Sequence, residues 1–235
     1  KSTIQITVLT PPEFSSLTTQ LLTIQTDRTA DSCQYRTETT AYKDFTTIED
    51  NNRKFSDRLG ILAPGKHKYY IECKAAGSKV VKEYEFIIDT TPPEIISINT
   101  GNVSSSTRTL SASWKAEDNE SGIEEYKYAI GTSEFSRTDI KNWTSIKKDN
   151  VIVAGLNLTD GRTYFWSVRA INKVNLTSTD KYAPVSIDTS LALADTTAPY
   201  AELQKQKLPD SSIDISVICK DDTECDTKKI YYGIS

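Results

Sequence analysis

The stretch Gly155-Leu-Asn-Leu-Thr-Asp-Gly161-Arg-Thr-Tyr164-Phe-Trp166-Ser-Val168-Arg-Ala170 decides how the chain is read. Asp160-Gly161 punctuates it as a tight turn, and the residues that follow alternate. Tyr164, Trp166, Val168 and Ala170 fall on one side and Phe165, Ser167 and Arg169 on the other, which is the period of a half-buried strand. Leu158 before the glycine and Tyr164 after it suit a corner in which the ring packs inward while the hydroxyl bonds back to the turn backbone.

Working outward, the same plan returns at Leu62-Ala-Pro-Gly65-Lys-His-Lys-Tyr69-Tyr-Ile71-Glu-Cys73-Lys-Ala75. Aligned on the final alanine, Tyr69 matches Tyr164, Ile71 matches Trp166 and Cys73 matches Val168, so turn, corner and strand are expected twice. Before it, Ile4, Ile6 and Val8 alternate with polar residues, Pro11-Pro12 breaks the ladder, and Leu22 and Ile24 resume it. Cys33-Gln-Tyr35-Arg continues the alternation, a polar segment from Thr37 to Arg58 reads as irregular, and Val80, Tyr84, Phe86 and Ile88 form a closing strand.

Asp89-Thr-Thr-Pro-Pro-Glu94 cannot continue a central strand and reads as a stiff boundary. Nearly the same words return at Asp195-Thr-Thr-Ala-Pro199, an interval of about 106 residues that suits one sandwich domain. The second unit offers strands at Ile95 to Ile98, Leu110 to Ala116, Tyr126 to Ile130, Val151 to Val153 and Tyr182 to Ile187, with Asp118 to Gly122 as a turn. The third can be laid on the second without gaps, Val217 to Cys225 on Ser113 to Ser121 and Ile230 to Ile234 on Tyr126 to Ile130. The expected division is 1–89, 93–188 and 197–235, the last being the N-terminal part of a third sandwich. No helical period competes with this all-β reading.

Composition bounds the function. A net charge of -4 with scattered Lys and Arg leaves no electrostatic footprint for nucleic acid or anionic lipid. No apolar run approaches a membrane span, and no signal segment opens the chain. With no Met in 235 residues, the expectation is a chain that begins after processing or inside a longer gene product.

The spacing of Cys33 and Cys73 offers no zinc-type ligand pair, and disulfides fit better. A Cys33–Cys73 bridge would stabilise by roughly 4 kcal/mol through loop closure, and a Cys219–Cys225 bridge by about 2. Such bonds belong to an oxidising compartment, so an extracellular location is expected.

Chemistry-bearing residues are sparse. The single His67 sits between two lysines at a strand start and reads as a packing or exposed residue rather than a triad base. Glu117, Asp118 and Glu120, and likewise Asp221, Asp222 and Glu224, lie in turns where acids serve the backbone; calcium is the sharper alternative, without a regular Asp-rich loop to support it. Trp114 and Trp166 fall in core phase, whereas Trp143 lies in a segment read as irregular. Five Asn-x-Ser/Thr sequons, at Asn102, Asn119, Asn142, Asn157 and Asn175, are glycosylation candidates, all in the second unit. No catalytic residue, metal ligand or cofactor is assigned.

With Trp114, Asp118, Ser121-Gly122-Ile123, Tyr126, Tyr128, Ile130-Gly131-Thr132, Gly155, Leu158, Asp160-Gly161, Tyr164, Trp166 and Val168-Arg-Ala170 in view, residues 93 to 188 resemble the fibronectin type III domains of prokaryotic surface proteins. The first and third units look like related immunoglobulin-like modules of bacterial or archaeal secreted proteins. One departure marks the first unit: Cys33 falls on the expected third strand, so its bridge would join neighbouring strands rather than the two sheets. The resemblance implies a stalk of modules spacing an adhesive, catalytic or anchoring part from a cell. The partners it implies are other domains of a longer surface protein or neighbouring subunits, with a cell-surface protein or glycan as a further partner. The expected function is a non-catalytic structural or adhesive segment; the alternatives are a filament subunit assembled by strand complementation and an accessory region of a larger secreted hydrolase.

Overall fold

A computed structural model of the chain describes residues 3–193 and two further strands at 200–207 and 213–220. The first sandwich is built from β1 (Ile6–Thr10), β2 (Phe14–Ser15), β3 (Thr19–Thr26), β4 (Ser32–Arg36), β5 (Lys43–Asp44), β6 (Thr47–Glu49), β7 (Lys54–Ile61), β8 (Gly65–Ala75) and β9 (Ser78–Ile88). They form two sheets, β1-β3-β7-β6 and β2-β9-β8-β4-β5. Pro11-Pro12 ends the pairing of β1 with β3, and the chain crosses to the other sheet, where β2 runs parallel to β9. Ala76 and Gly77, both with positive φ, close the β8–β9 hairpin in the two-residue turn that matches strand twist.

The second sandwich repeats the plan with β10 (Glu94–Asn99), β11 (Val103–Ser104), β12 (Thr109–Glu117), β13 (Ile123–Gly131), β14 (Lys141–Ile146), β15 (Asn150–Ala154), β16 (Thr163–Asn172) and β17 (Lys181–Ile187). Its sheets are β10-β12-β15 and β11-β17-β16-β13-β14. Again a short strand after the first one, β11, switches sheets to run parallel to the last, β17. A 3-10 turn at Thr189–Leu193 follows, then β18 (Tyr200–Lys207) and β19 (Ile213–Lys220) pair antiparallel. The proposed counterparts of the third strand at Ile230 to Ile234, and Cys225, lie outside the described residues.

Each sandwich has its own core. Ile4, Leu22, Ile24, Phe55, Ile71, Phe86 and Ile88 are fully buried in the first, and Leu110, Ile130, Trp166, Val168 and Ile187 in the second. At about 2–3 kcal/mol for each large apolar side chain removed from water, these inward stripes supply the driving force for pairing the sheets.

Three readings are corrected here. The segment Thr37 to Arg58 is not irregular throughout: β5, β6 and the eight-residue β7 lie in or begin within it. The alternation of β7 is Phe55, Asp57, Leu59 inward, and the buried acid masks the apolar stripe. Trp143 likewise belongs to a strand, β14. The far side of β16 is also less open than a half-buried strand implies, because Ser167 is fully buried. The loop after Gly131 folds back over the end of β13 so closely that a Cβ on Gly131 would fall 1.8 Å from the Ser136 carbonyl oxygen, which only glycine permits.

Candidate functional site: the polar junction at Asp89

Asp89 follows the last residue of β9 and is fully buried. Its backbone N–H donates to the Ser15 carbonyl (2.9 Å), extending the parallel β2–β9 pairing and tying the residue to the first sandwich. Its side chain turns the other way. Oδ1 accepts from the Thr91 N–H (3.0 Å), and Oδ2 accepts from the Ser121 hydroxyl and from Asn172 Nδ2 (2.8 Å), two groups of the second sandwich.

Asn172 is the hub on that side. It is the last residue of β16 and continues the inward phase of Tyr164, Trp166, Val168 and Ala170. Nδ2 is shared among Asp89, the Thr91 carbonyl (3.1 Å) and Asp118 Oδ2 (3.1 Å), while Oδ1 accepts from the N–H groups of Val174 and Leu176. Asp118 Oδ1 accepts from the N–H groups of Ser121 (3.0 Å) and Gly122 (2.7 Å), the turn use expected of a short acid. The Thr91 hydroxyl, with one proton to give, lies nearer Glu120 Oε2 (3.1 Å) than Asp89 Oδ1 (3.4 Å). Beside this network the Lys173 ammonium sits 4.4 Å from the Phe14 ring centroid, a second contact across the junction.

Carboxylate oxygens of Asp89, Asp118 and Glu120 lie within 4.8 Å of one another, and oxygen ligands at that spacing suit a hard cation. The same carboxylates already accept from Ser121, Asn172, Gly122 and Thr91, so a cation would have to displace donors. The arrangement is a satisfied hydrogen-bond network, which is what makes burying Asp89 tolerable.

A second buried acid, Asp57, sits inside the first sandwich. It accepts from the Tyr35 hydroxyl (2.6 Å), the Thr46 hydroxyl (2.8 Å) and the Arg58 N–H (2.9 Å), and pairs with the Lys43 ammonium (2.7 Å). Burial pushes the Asp57 carboxyl up, but the donors from Lys43, Tyr35 and Thr46 outweigh it and hold the group at about 2. Burial, reinforced by the bond to Asp57, pushes the Tyr35 phenol up to about 12.

Similar proteins are known by shape rather than by sequence: no protein-family model and no curated protein matches the chain. Among solved structures it resembles a run of titin domains, with a TM-score of 0.51 and 15% identity over 79% of this chain. The chain spans 66% of that structure, just under two thirds of its length. It also aligns with fibronectin(III)-like modules of Clostridium thermocellum CbhA (TM-score 0.40, 9% identity, 80% of this chain and 96% of that one). A third alignment is with three fibronectin domains of chicken CNTN1 (TM-score 0.35, 17% identity, 92% and 73%). The fold is that of tandem fibronectin type III and immunoglobulin-like sandwiches.

Within that fold the other singled-out residues find their places. Cys33 and Cys73 face one another in the register of β4 and β8 and are joined by a disulfide within one sheet. Cys219 lies in β19, but its side chain and Cys225 fall outside what is described. Asn102, Asn119, Asn157 and Asn175 are exposed in turns and loops and Asn142 is exposed on β14; Asn51, Asn52, Asn99 and Asn150, which carry no sequon, are exposed as well. His67 stacks on Phe86 (5.4 Å between centroids) and its Nε2 bonds the Ala63 carbonyl. Trp143 lies under the Arg169 guanidinium (3.8 Å), whose Nε and Nη2 donate to the two oxygens of Asp180.

The residues that sequence reading passed over are Asp89 and Asn172. Asp89 reads as part of a linker, and Asn172 lies beyond the stretch read as a strand, which ends at Ala170. The available signals were the recurrence of Asp-Thr-Thr at Asp195 and the continuation of the core phase through Asn172.

Proposed function

We propose that this chain is a non-catalytic structural or adhesive segment, a stalk or spacer, of a longer cell-surface protein of prokaryotic type. Support comes from what the polar residues do. The buried acids Asp57 and Asp89 are saturated by donors from their own sandwiches and their neighbours, and so serve packing. The Cys33–Cys73 bridge suits an oxidising, extracellular setting, and among the described residues no helix is long and apolar enough to cross a membrane. In this reading the partners are further domains of the same protein, with an adhesive contact to a cell-surface protein or glycan carried elsewhere on the array.

A second reading, a filament subunit completed by a strand from a neighbour, draws on one observation. Among the described residues β18 and β19 form a sheet of two strands, and a two-stranded ribbon is marginal without a further partner.

The test is immunolabelling of intact cells that make the protein, with an antibody to the first sandwich, and mild proteolytic shaving of the same cells. Surface labelling that shaving removes is the expected result. Signal only after permeabilisation would overturn the reading.

A further inference from the structure

We propose that Asp89 makes the junction a rigid joint, holding the second sandwich at one orientation to the first. The residue is fastened on both sides. Its N–H is fixed to Ser15 in the first sandwich, and its Oδ2 grips Ser121 in the β12–β13 turn and Asn172 at the end of β16. Thr91 adds its carbonyl to Asn172 and its hydroxyl to Glu120. Bonds to two separate loops restrict swing and twist together, which one contact would not do. Covalent structure helps, because Pro92 and Pro93 have fixed φ and leave only Thr90 and Thr91 between Asp89 and the stiff segment.

The chain carries its own comparison. Asp188 occupies the same place after β17: its N–H donates to the Ser104 carbonyl of the parallel partner β11 (2.9 Å), and its Oδ1 accepts from the Ser190 N–H and hydroxyl. Among the described residues, the side-chain bonds of Asp188 stay within that turn. Within the described residues the turn at Asp188 is thus built from its own local bonds, and the Oδ2 bonds of Asp89 reach beyond the corresponding turn. Because they are buried, they are shielded from competition by water, where the same bonds would be worth little. The rigidity of the joint is independent of what the array carries or where it is displayed.

The experiment is measurement of amide residual dipolar couplings on the full chain, fitted separately for residues 4–88 and 94–187. In the wild type one alignment tensor is expected to fit both sets. In Asp89→Ala each set is expected to keep a good fit of its own, with loss of the common tensor as the orientations part. Two tensors in the wild type, or one shared tensor in Asp89→Ala, would overturn the proposal. Should Asp89→Ala lose the dispersed spectrum of either sandwich, the double variant Thr91→Ala/Ser121→Ala removes cross-junction donors while keeping the carboxylate. There, parted tensors support the joint and a common tensor overturns it.

Discussion

The hydroxyl of Tyr164 accepts a 2.8 Å hydrogen bond from the backbone N–H of Thr159, five residues earlier, across the turn that Gly161 closes with φ +74. The ring above it is buried in the second core, so the bond ties the loop before β16 to the sheet interior. In the first sandwich the matching Tyr69 is equally buried, but among the described residues no hydrogen bond joins its hydroxyl to the turn, and the His67 ring bonds the Ala63 carbonyl there instead. The corner expected twice is complete once.

Tyr164→Phe is therefore expected to destabilise the second sandwich by about 1–2 kcal/mol, since it strands a loop N–H. Tyr69→Phe should stay within about 0.5 kcal/mol of wild type. Denaturant titration separates the two, because Trp114, Trp143 and Trp166 all lie in the second sandwich and tryptophan fluorescence reports it alone.

Acid should weaken the first sandwich through Asp57. Its folded value, about 2, lies below the ordinary 3.8, so its stabilisation is fully present above the ordinary value. That stabilisation is lost as pH falls through about 2. The expected loss is about 2 kcal/mol, and Asp57→Ala should remove this part of the pH dependence while lowering stability at neutral pH. Tyr35 acts at the opposite end: its raised value means stability present below pH 10 and lost as pH climbs towards about 12. Amide hydrogen exchange of β4 and β7 across pH checks both.

Removing the Cys33–Cys73 bridge by a double alanine substitution should cost the first sandwich about 4 kcal/mol through the 40-residue loop it closes. The second sandwich, followed by tryptophan fluorescence, should hold its midpoint.

Arg169→Lys should cost the second sandwich about 1–2 kcal/mol, because an ammonium cannot bond both Asp180 oxygens while lying flat on Trp143. A shift in tryptophan emission without loss of β signal in circular dichroism is the expected companion.

Much of this architecture was legible from alternation. The inward stripes of β8, β12 and β16, the Pro11-Pro12 break and the turns at Gly65 and Gly161 are local features that one stretch of residues determines. What escaped reading was polar residues placed inward. Asp57 on β7, Asn172 on β16 and Asp89 after β9 look like surface groups until their long-range partners are known. Those side chains, Tyr35 and Thr46 for Asp57, and Asp89 and Asn172 for each other, stand 11 to 83 residues away. Trp143 was obscured for the same reason, since its strand is held by pairing to β13 and covered by Arg169. The junction was thus read as a linker: proline stiffness is written locally, whereas a carboxylate bridging two folded units is visible only in three dimensions.

The most direct test of the spacer reading is light scattering coupled to size exclusion on the full chain over a wide concentration range, with electron microscopy of the same fractions. A spacer is expected to elute as a monomer of 26.2 kDa at every concentration. Discrete oligomers or filaments that grow with concentration would contradict it and make assembly the function.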